Sequence, residues 1–225
     1  MDPARIAELL QPFLDSANGQ QLTSNDLHNI STYIDILLRW NARINLTAIR
    51  DEEQIVTRHF GESLFAAAHL FPKSSVSSVP SVVKDVELAD VGSGAGFPGV
   101  PMKLWSPYIS LTLIESNHKK ATFLRELTRA LTLTDINIQT DRAESLAPHS
   151  FDVVTLRAVE RFETILPIAA NLLRPAGKLA LLIGSAQEPQ ARLVLPSLLW
   201  SAPIPIPNSR ARILLTSKSP APAGT

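Results

Sequence analysis

An apolar run from Val86 to Val91 leads straight into glycines at 92, 94, 96 and 99, with Pro98 opening what reads as a helix. Glycines so placed let the backbone turn tightly and come close to a ligand. The start of the following helix is expected to offer free N–H groups to polar or anionic parts of that ligand. A nucleotide-like cofactor is the chemistry implied. Three further groups stand where apolar strand patterns stop: Glu115, the run Asp141-Arg142-Ala143-Glu144, and Arg157. In doubly wound α/β folds ligands lie outside the carboxyl ends of the strands. All of these residues are therefore expected at one crevice.

Glycine spacing separates the cofactors. The dinucleotide fingerprint needs Gly-x-Gly-x-x-Gly, and here the third glycine arrives one residue early. A phosphate-binding P-loop needs Lys-Ser or Lys-Thr after its last glycine, and neither follows. Asp90-Val91-Gly92-Ser93-Gly94-Ala95-Gly96 has instead the Asp-x-Gly-x-Gly-x-Gly form typical of S-adenosylmethionine (AdoMet) methyltransferases. That cofactor has no pyrophosphate, so Gly92, Gly94 and Gly96 are expected to pack against its amino-acid and ribose portions. Glu115 is expected to take the ribose hydroxyls; the alternative is a solvated strand-end carboxylate. Ala143 and Glu144 are placed to flank the adenine. Arg157, directly after an apolar strand, is placed to face the crevice; the alternative is a salt bridge at its rim.

The elements that must position these groups divide the chain in two. Residues 1 to about 72 read as helical. Ser24 is the expected cap of a helix through Leu27, Ile30, Tyr33, Ile34, Leu37, Leu38 and Trp40. A second helix is expected from about Glu52 to His69. The Ser/Pro-rich stretch 73–85 reads as an exposed connection. From residue 86 to 225, strands alternate with helices. Strands are expected at 86–91, 109–114, 136–139, 151–156, 178–183, 202–207 and 210–216, with helices at 98–105, 118–131 and 162–173. The proline-bearing 202–207 segment suits an edge, and the last strand suits an antiparallel hairpin partner. The fold class is thus α/β, a Rossmann-like AdoMet-dependent methyltransferase. It would hold a mostly parallel seven-stranded sheet with helices on both faces and a small N-terminal helical region.

Composition excludes whole classes of function. With no cysteine there is no disulfide, thiolate metal site or Cys nucleophile, and no metal ligand set is expected. No apolar run is long enough to span a membrane, and Asp2, Arg5 and Glu8 make the N-terminus a poor signal peptide. A cytoplasmic location fits. The formal net charge is zero, so any nucleic acid must be met by local basic surface. Two groups qualify: His118, Lys119, Lys120, Arg125 and Arg129 with Thr122, and Arg39, Arg43, Arg50, Arg58 and His59. Either is equally a solvated face.

The chain resembles the ribosomal RNA small subunit methyltransferase G family, also called glucose-inhibited division protein B. The matching pieces are Arg39-Trp40-Asn41, Ile44-Asn45-Leu46-Thr47, Arg58-His59, Asp90 through Gly99, Lys119 or Lys120 with Phe123-Leu124-Arg125, and Phe151-Asp152 leading to Arg157-Ala158. The resemblance covers roughly residues 25 to 185. It implies methyl transfer from AdoMet to N7 of one guanine in 16S rRNA near the decoding centre. The partner implied is the small ribosomal subunit, met by a monomer. Carried over by position, the cofactor contacts are Gly92, Phe97, Ala143, Glu144 and Arg157. The family usually has a lysine just before the glycine closing the fifth strand; here Ile183 precedes Gly184.

The chemistry implied needs little from the protein. Guanine N7 carries an in-plane lone pair, so attack on a sulfonium methyl requires no deprotonation, and alignment can supply most of the catalysis. No general base is assigned. Arg157 is the candidate catalytic residue, facing both cofactor and substrate. The rival readings are a catalytically idle AdoMet- or ribosome-binding relative and an NAD(P)-dependent oxidoreductase.

Overall fold

The computed structural model describes residues 1–15, 21–72, 86–159 and 161–220. The Ser/Pro-rich connection at 73–85 lies outside them. Five parallel strands form the centre of the sheet: β1 (Val86–Val91), β2 (Ile109–Ile114), β3 (Ile136–Gln139), β4 (Phe151–Arg157) and β5 (Leu173–Gly184). Strand β8 (Arg212–Lys218) joins β5 antiparallel. Two dipeptide strands, β6 (Leu199–Trp200) and β7 (Ile204–Pro205), pair with successive stretches of the outer side of β8. The order is β3-β2-β1-β4-β5-β8, with β6 and β7 sharing the edge. Seven positions across the sheet are therefore filled by eight strands. Pro203, between the two edge pieces, cannot donate a ladder hydrogen bond.

Burial on both faces explains the strands' near-continuous apolar runs. Side chains alternate between two cores. Leu88, Leu111, Leu113, Ala180, Leu182 and Leu214 enter one; Ala89, Val91, Val154, Leu156, Leu181 and Ile183 enter the other. The second is covered by α7 (Phe162–Asn171) and α8 (Glu188–Val194), the latter unforeseen in the sequence. The first is covered by α5 (Gly99–Trp105), α6 (His118–Ala130) and the whole N-terminal helical region. Each Leu or Phe withdrawn from water in this way contributes roughly 1.5–3 kcal/mol before entropy is subtracted.

The N-terminal region contains α1 (Pro3–Asp15), α2 (Ser24–Asn41) and a continuous helical segment from Glu52 to Leu70. Thr23, not Ser24, caps α2. Its hydroxyl accepts from the Asp26 amide at 3.2 Å, and the Asp26 carboxylate accepts from the Thr23 amide at 2.9 Å. Two reciprocal bonds outweigh the one Ser24 would make. The later segment runs as α3 (Glu52–Gln54), a π-helical stretch (Ile55–Gly61) and α4 (Glu62–Leu70). Wide π turns recur at functional sites, and this one carries Arg58 and His59. Phe13 of α1 lies where a Gly61 Cβ would sit, 2.6 Å away, so α1 backs the π stretch directly. Among the described residues no helix is long and apolar enough to cross a membrane.

Candidate functional site

The strand order reverses between β1 and β4, and a cleft of about 760 Å³ opens at their carboxyl ends. Its walls include Gly92, Gly94, Phe97, Glu115, Ala143, Glu144 and Arg157, together with Thr47 and His59 from the helical region. Seven of the eight residues expected from sequence thus converge. The eighth, Gly96, does not line the cleft. At φ +88° it turns away, and a Cβ there would meet the Tyr33 hydroxyl at 2.5 Å. It lacks a side chain to admit α2, not to admit a cofactor. Gly94, at φ +56°, has no atom closer than a 3.7 Å backbone oxygen on its Cβ side. It presents bare backbone to the open space.

Asp90 holds the loop from below. One carboxylate oxygen accepts from the Gly99 amide at 3.0 Å and the other from the Thr155 hydroxyl at 3.2 Å. The expectation that the next helix offers free amides to the ligand is therefore not met. Gly99 N–H goes to Asp90, Val100 N–H to the Gly96 carbonyl and Met102 N–H to the Pro98 carbonyl. Full burial pushes the Asp90 carboxyl up to about 7.

Glu115 is buried rather than solvated at its strand end. Its oxygens accept from the Gly94 amide at 2.9 Å and the Asn117 amide at 2.8 Å. Each carboxylate oxygen has a further lone pair, so the group is oriented toward the cleft with capacity for two hydroxyls. Buried Ala143 and exposed Glu144 sit on a single 3₁₀ turn across the cleft.

Arg157 is not a rim residue. Its side chain is 9 % exposed, and it reaches into the helical region. Nη1 donates to His59 Nδ1 at 3.0 Å, while Nη2 donates to the Arg58 carbonyl at 2.6 Å and to Glu62 Oε2 at 3.3 Å. A guanidinium only donates, so His59 Nδ1 is the acceptor and Nε2 carries the proton, bonded to the Thr47 hydroxyl at 2.8 Å. Burial, with Arg157 and other arginines nearby, pushes the His59 imidazole down to about 3. His59 is thus a neutral, fully engaged linker, not part of a solvated basic face. Asn41 fixes the other end: its side chain donates to the Thr47 carbonyl and accepts from the Leu46 and Thr47 amides.

The same helical region clasps the glycine loop. Phe97 lies between Tyr33, with ring centroids 5.0 Å apart and 10° between planes, and His59, at 4.8 Å and 26°. Phe60 meets its edge at 5.1 Å. The Tyr33 hydroxyl donates to the Ala95 carbonyl. Sequence reasoning missed Tyr33 and Glu62 as site residues. The signal for Glu62 was its position four residues after Arg58, a helical ion-pair spacing. Ile183 is buried on the α7–α8 face of the sheet, and the cation at that end of the strand pair is Arg212, opposite Gly184. Of the basic groups, Lys120 lines the cleft and Arg125 bonds the Thr140 hydroxyl at 2.6 Å.

Comparison with known proteins agrees with this geometry. The profile described as rRNA small subunit methyltransferase G matches residues 26–194. A ribosomal RNA small subunit methyltransferase G of Roseiflexus castenholzii is 36% identical over 219 residues, covering 91% of this chain and 89% of the relative. One from a Geobacillus species is 35% identical over 194 residues, covering 84% and 75%. Among solved structures, a ribosomal protein L11 methylase of Lactobacillus delbrueckii superposes with a TM-score of 0.57 at 16% identity, over 72% of this chain and 79% of that one. At that identity the likeness is one of fold.

Proposed function

This chain belongs to the rRNA small subunit methyltransferase G family, and from that premise we propose that it transfers the methyl group of AdoMet to N7 of one guanine in 16S rRNA, near the decoding centre. The observation that carries this reading is the cleft at the ends of β1 and β4, with bare backbone at Gly94, the oriented carboxylate of Glu115 and the guanidinium of Arg157 on its walls. These residues fit AdoMet. The open side of Gly94 admits close backbone approach, and Glu115 suits a ribose diol. The turn at Ala143 and Glu144 suits a flat base.

When bound, AdoMet supplies a methyl group activated on a sulfonium. The chain's residues then have to hold the acceptor in line with that methyl group and keep water out. N7 needs no base, and the site is built accordingly. Both nitrogens of His59 are engaged and the ring is neutral. Asp90 is sealed beneath the loop. Arg157, held on three sides by the helical region, retains an Nε with no partner among the described residues. Its role in this reading is alignment, holding acceptor and methyl group in line, because a guanidinium charge would oppose rather than stabilise the cationic purine.

The substrate in this reading is the assembled small subunit, met by a monomer. A neutral chain with limited basic area suits a target whose shape is already set by ribonucleoprotein. The decisive experiment uses labelled AdoMet and small subunits that lack the modification, followed by nucleoside analysis. Label is expected in 7-methylguanosine, and label in any other nucleoside overturns the N7 assignment. Equal methylation of protein-free rRNA overturns the assembled substrate.

A further inference from the structure

Glu62 is the first residue of α4, directly after the π stretch, and is 1 % exposed. Three guanidiniums from three elements converge on its carboxylate. Oε1 accepts from Arg58 Nε at 3.1 Å. Oε2 accepts from Arg157 Nη2 at 3.3 Å and from Arg212 Nη2 at 3.1 Å. Arg212 is anchored in turn by a 2.9 Å bond to the Leu182 carbonyl of β5. With His59 neutral, the group holds three cations and one anion. Without the carboxylate, Arg157 and Arg212, mostly withdrawn from water, would repel one another, while Arg58 stays half exposed. Buried ion pairs are poor stabilisers compared with apolar packing of the same volume. Stability is therefore a weak reason for such a cluster, and geometry a stronger one.

We propose that Glu62 is a positioning residue for methyl transfer: its buried carboxylate, braced by Arg58 and Arg212, sets the guanidinium of Arg157 at the cleft wall. It does not line the cleft itself. It acts through Arg157, which shares Oε2 with Arg212, a side chain tied to the sheet. The π stretch matters here because it brings the Arg58 carbonyl, His59 and Glu62 to the same guanidinium.

This inference rests on Arg157 acting in methyl transfer, so the test carries wild-type protein and Arg157→Ala alongside. Glu62→Gln keeps the length and removes the charge; Glu62→Asp keeps the charge and withdraws it from the three arginines. Single-turnover transfer to unmodified small subunits, AdoMet affinity by calorimetry and thermal melting are measured for each. Expected is a rate loss of about tenfold or more in both variants, larger in Gln, and in each case clearly larger than any loss of AdoMet affinity. Folded variants that transfer at the wild-type rate overturn the proposal. So does a loss of fold or AdoMet affinity that keeps step with activity in both, which marks a purely structural carboxylate. Should Glu62→Gln alone fail to fold, Glu62→Asp decides by the same criteria. Unchanged transfer by Arg157→Ala, or no 7-methylguanosine from wild type, instead refutes the reading beneath it.

Discussion

His59 Nδ1 accepts a hydrogen bond from Arg157 Nη1 at 3.0 Å, across 98 residues of chain. The bond joins the helical region to the end of β4, and it requires the imidazole to be neutral. His59→Leu removes the acceptor and the stack on Phe97 together. It is expected to lower methyl transfer by about tenfold or more. His59→Gln restores an acceptor and should retain more activity than Leu. Single-turnover rates check the order, and equal rates for the two variants would show that the acceptor is irrelevant.

Arg157→Ala should abolish transfer while leaving a folded protein. The remaining carboxylate keeps two guanidinium partners, Arg58 and Arg212, so no buried charge is stranded. Circular dichroism and labelled-methyl transfer measured on the same sample separate the two effects. Turnover at the wild-type rate would remove Arg157 from the site.

Two glycines of one loop should fail in different ways. Gly96→Ala places a Cβ 2.5 Å from the Tyr33 hydroxyl at φ +88°, so it should lower the melting temperature and loosen α2 from the loop. Gly94→Ala meets open space, at a strain of about 1–2 kcal/mol. Its methyl group occupies the cleft side, so the expected loss is mainly in AdoMet affinity. Melting curves and calorimetry decide, and equal losses of affinity at similar stability would refute the distinction.

Asp90 and His59 should tilt stability in opposite directions with pH. Burial raises Asp90 from an ordinary 3.8 to about 7. The native state keeps a proton the unfolded chain releases, so this contribution is full below 3.8 and is lost as pH rises to about 7. Burial and Arg157 lower His59 from 6.5 to about 3. Here the unfolded chain takes the proton, so stability is full above 6.5 and is lost as pH falls toward about 3. Each effect is on the order of a few kcal/mol. Between pH 3.8 and 6.5 the two slopes oppose each other. Asp90→Asn should therefore make stability rise more steeply with pH there, and His59→Gln should make it fall. Denaturant midpoints across that window check the signs, and pH-independent differences from wild type would contradict them.

Local pattern was enough for much of this protein. Short apolar-rich runs marked β1, β2 and β3 to the residue, because strands buried on both faces leave little room for polar side chains. Glycine spacing and strand-end position likewise pointed to Gly92, Gly94, Glu115, Ala143, Glu144 and Arg157, and the family resemblance to Phe97, all of which line one cleft. Short elements held by partners rather than by their own sequence stayed hidden. The dipeptide strand β6 exists because β8 offers an edge, and α8 is a seven-residue helix whose buried residue is Ala191, whereas β7 falls within the edge segment expected at 202–207.

What only the tertiary structure decided is how distant residues restrain one another. The sequence by itself determined that a glycine loop at the end of an apolar strand would face a ligand. It did not reveal that Gly96 serves Tyr33 instead, or that the helix after the loop spends its first amide on Asp90. Nor did it reveal that Arg157 is held by His59 and Glu62. Backbone periodicity is a local property, read from neighbours a few residues apart. Hydrogen bonds across 62 or 98 residues form only when packing brings their partners together, and a single chain carries no local mark of them.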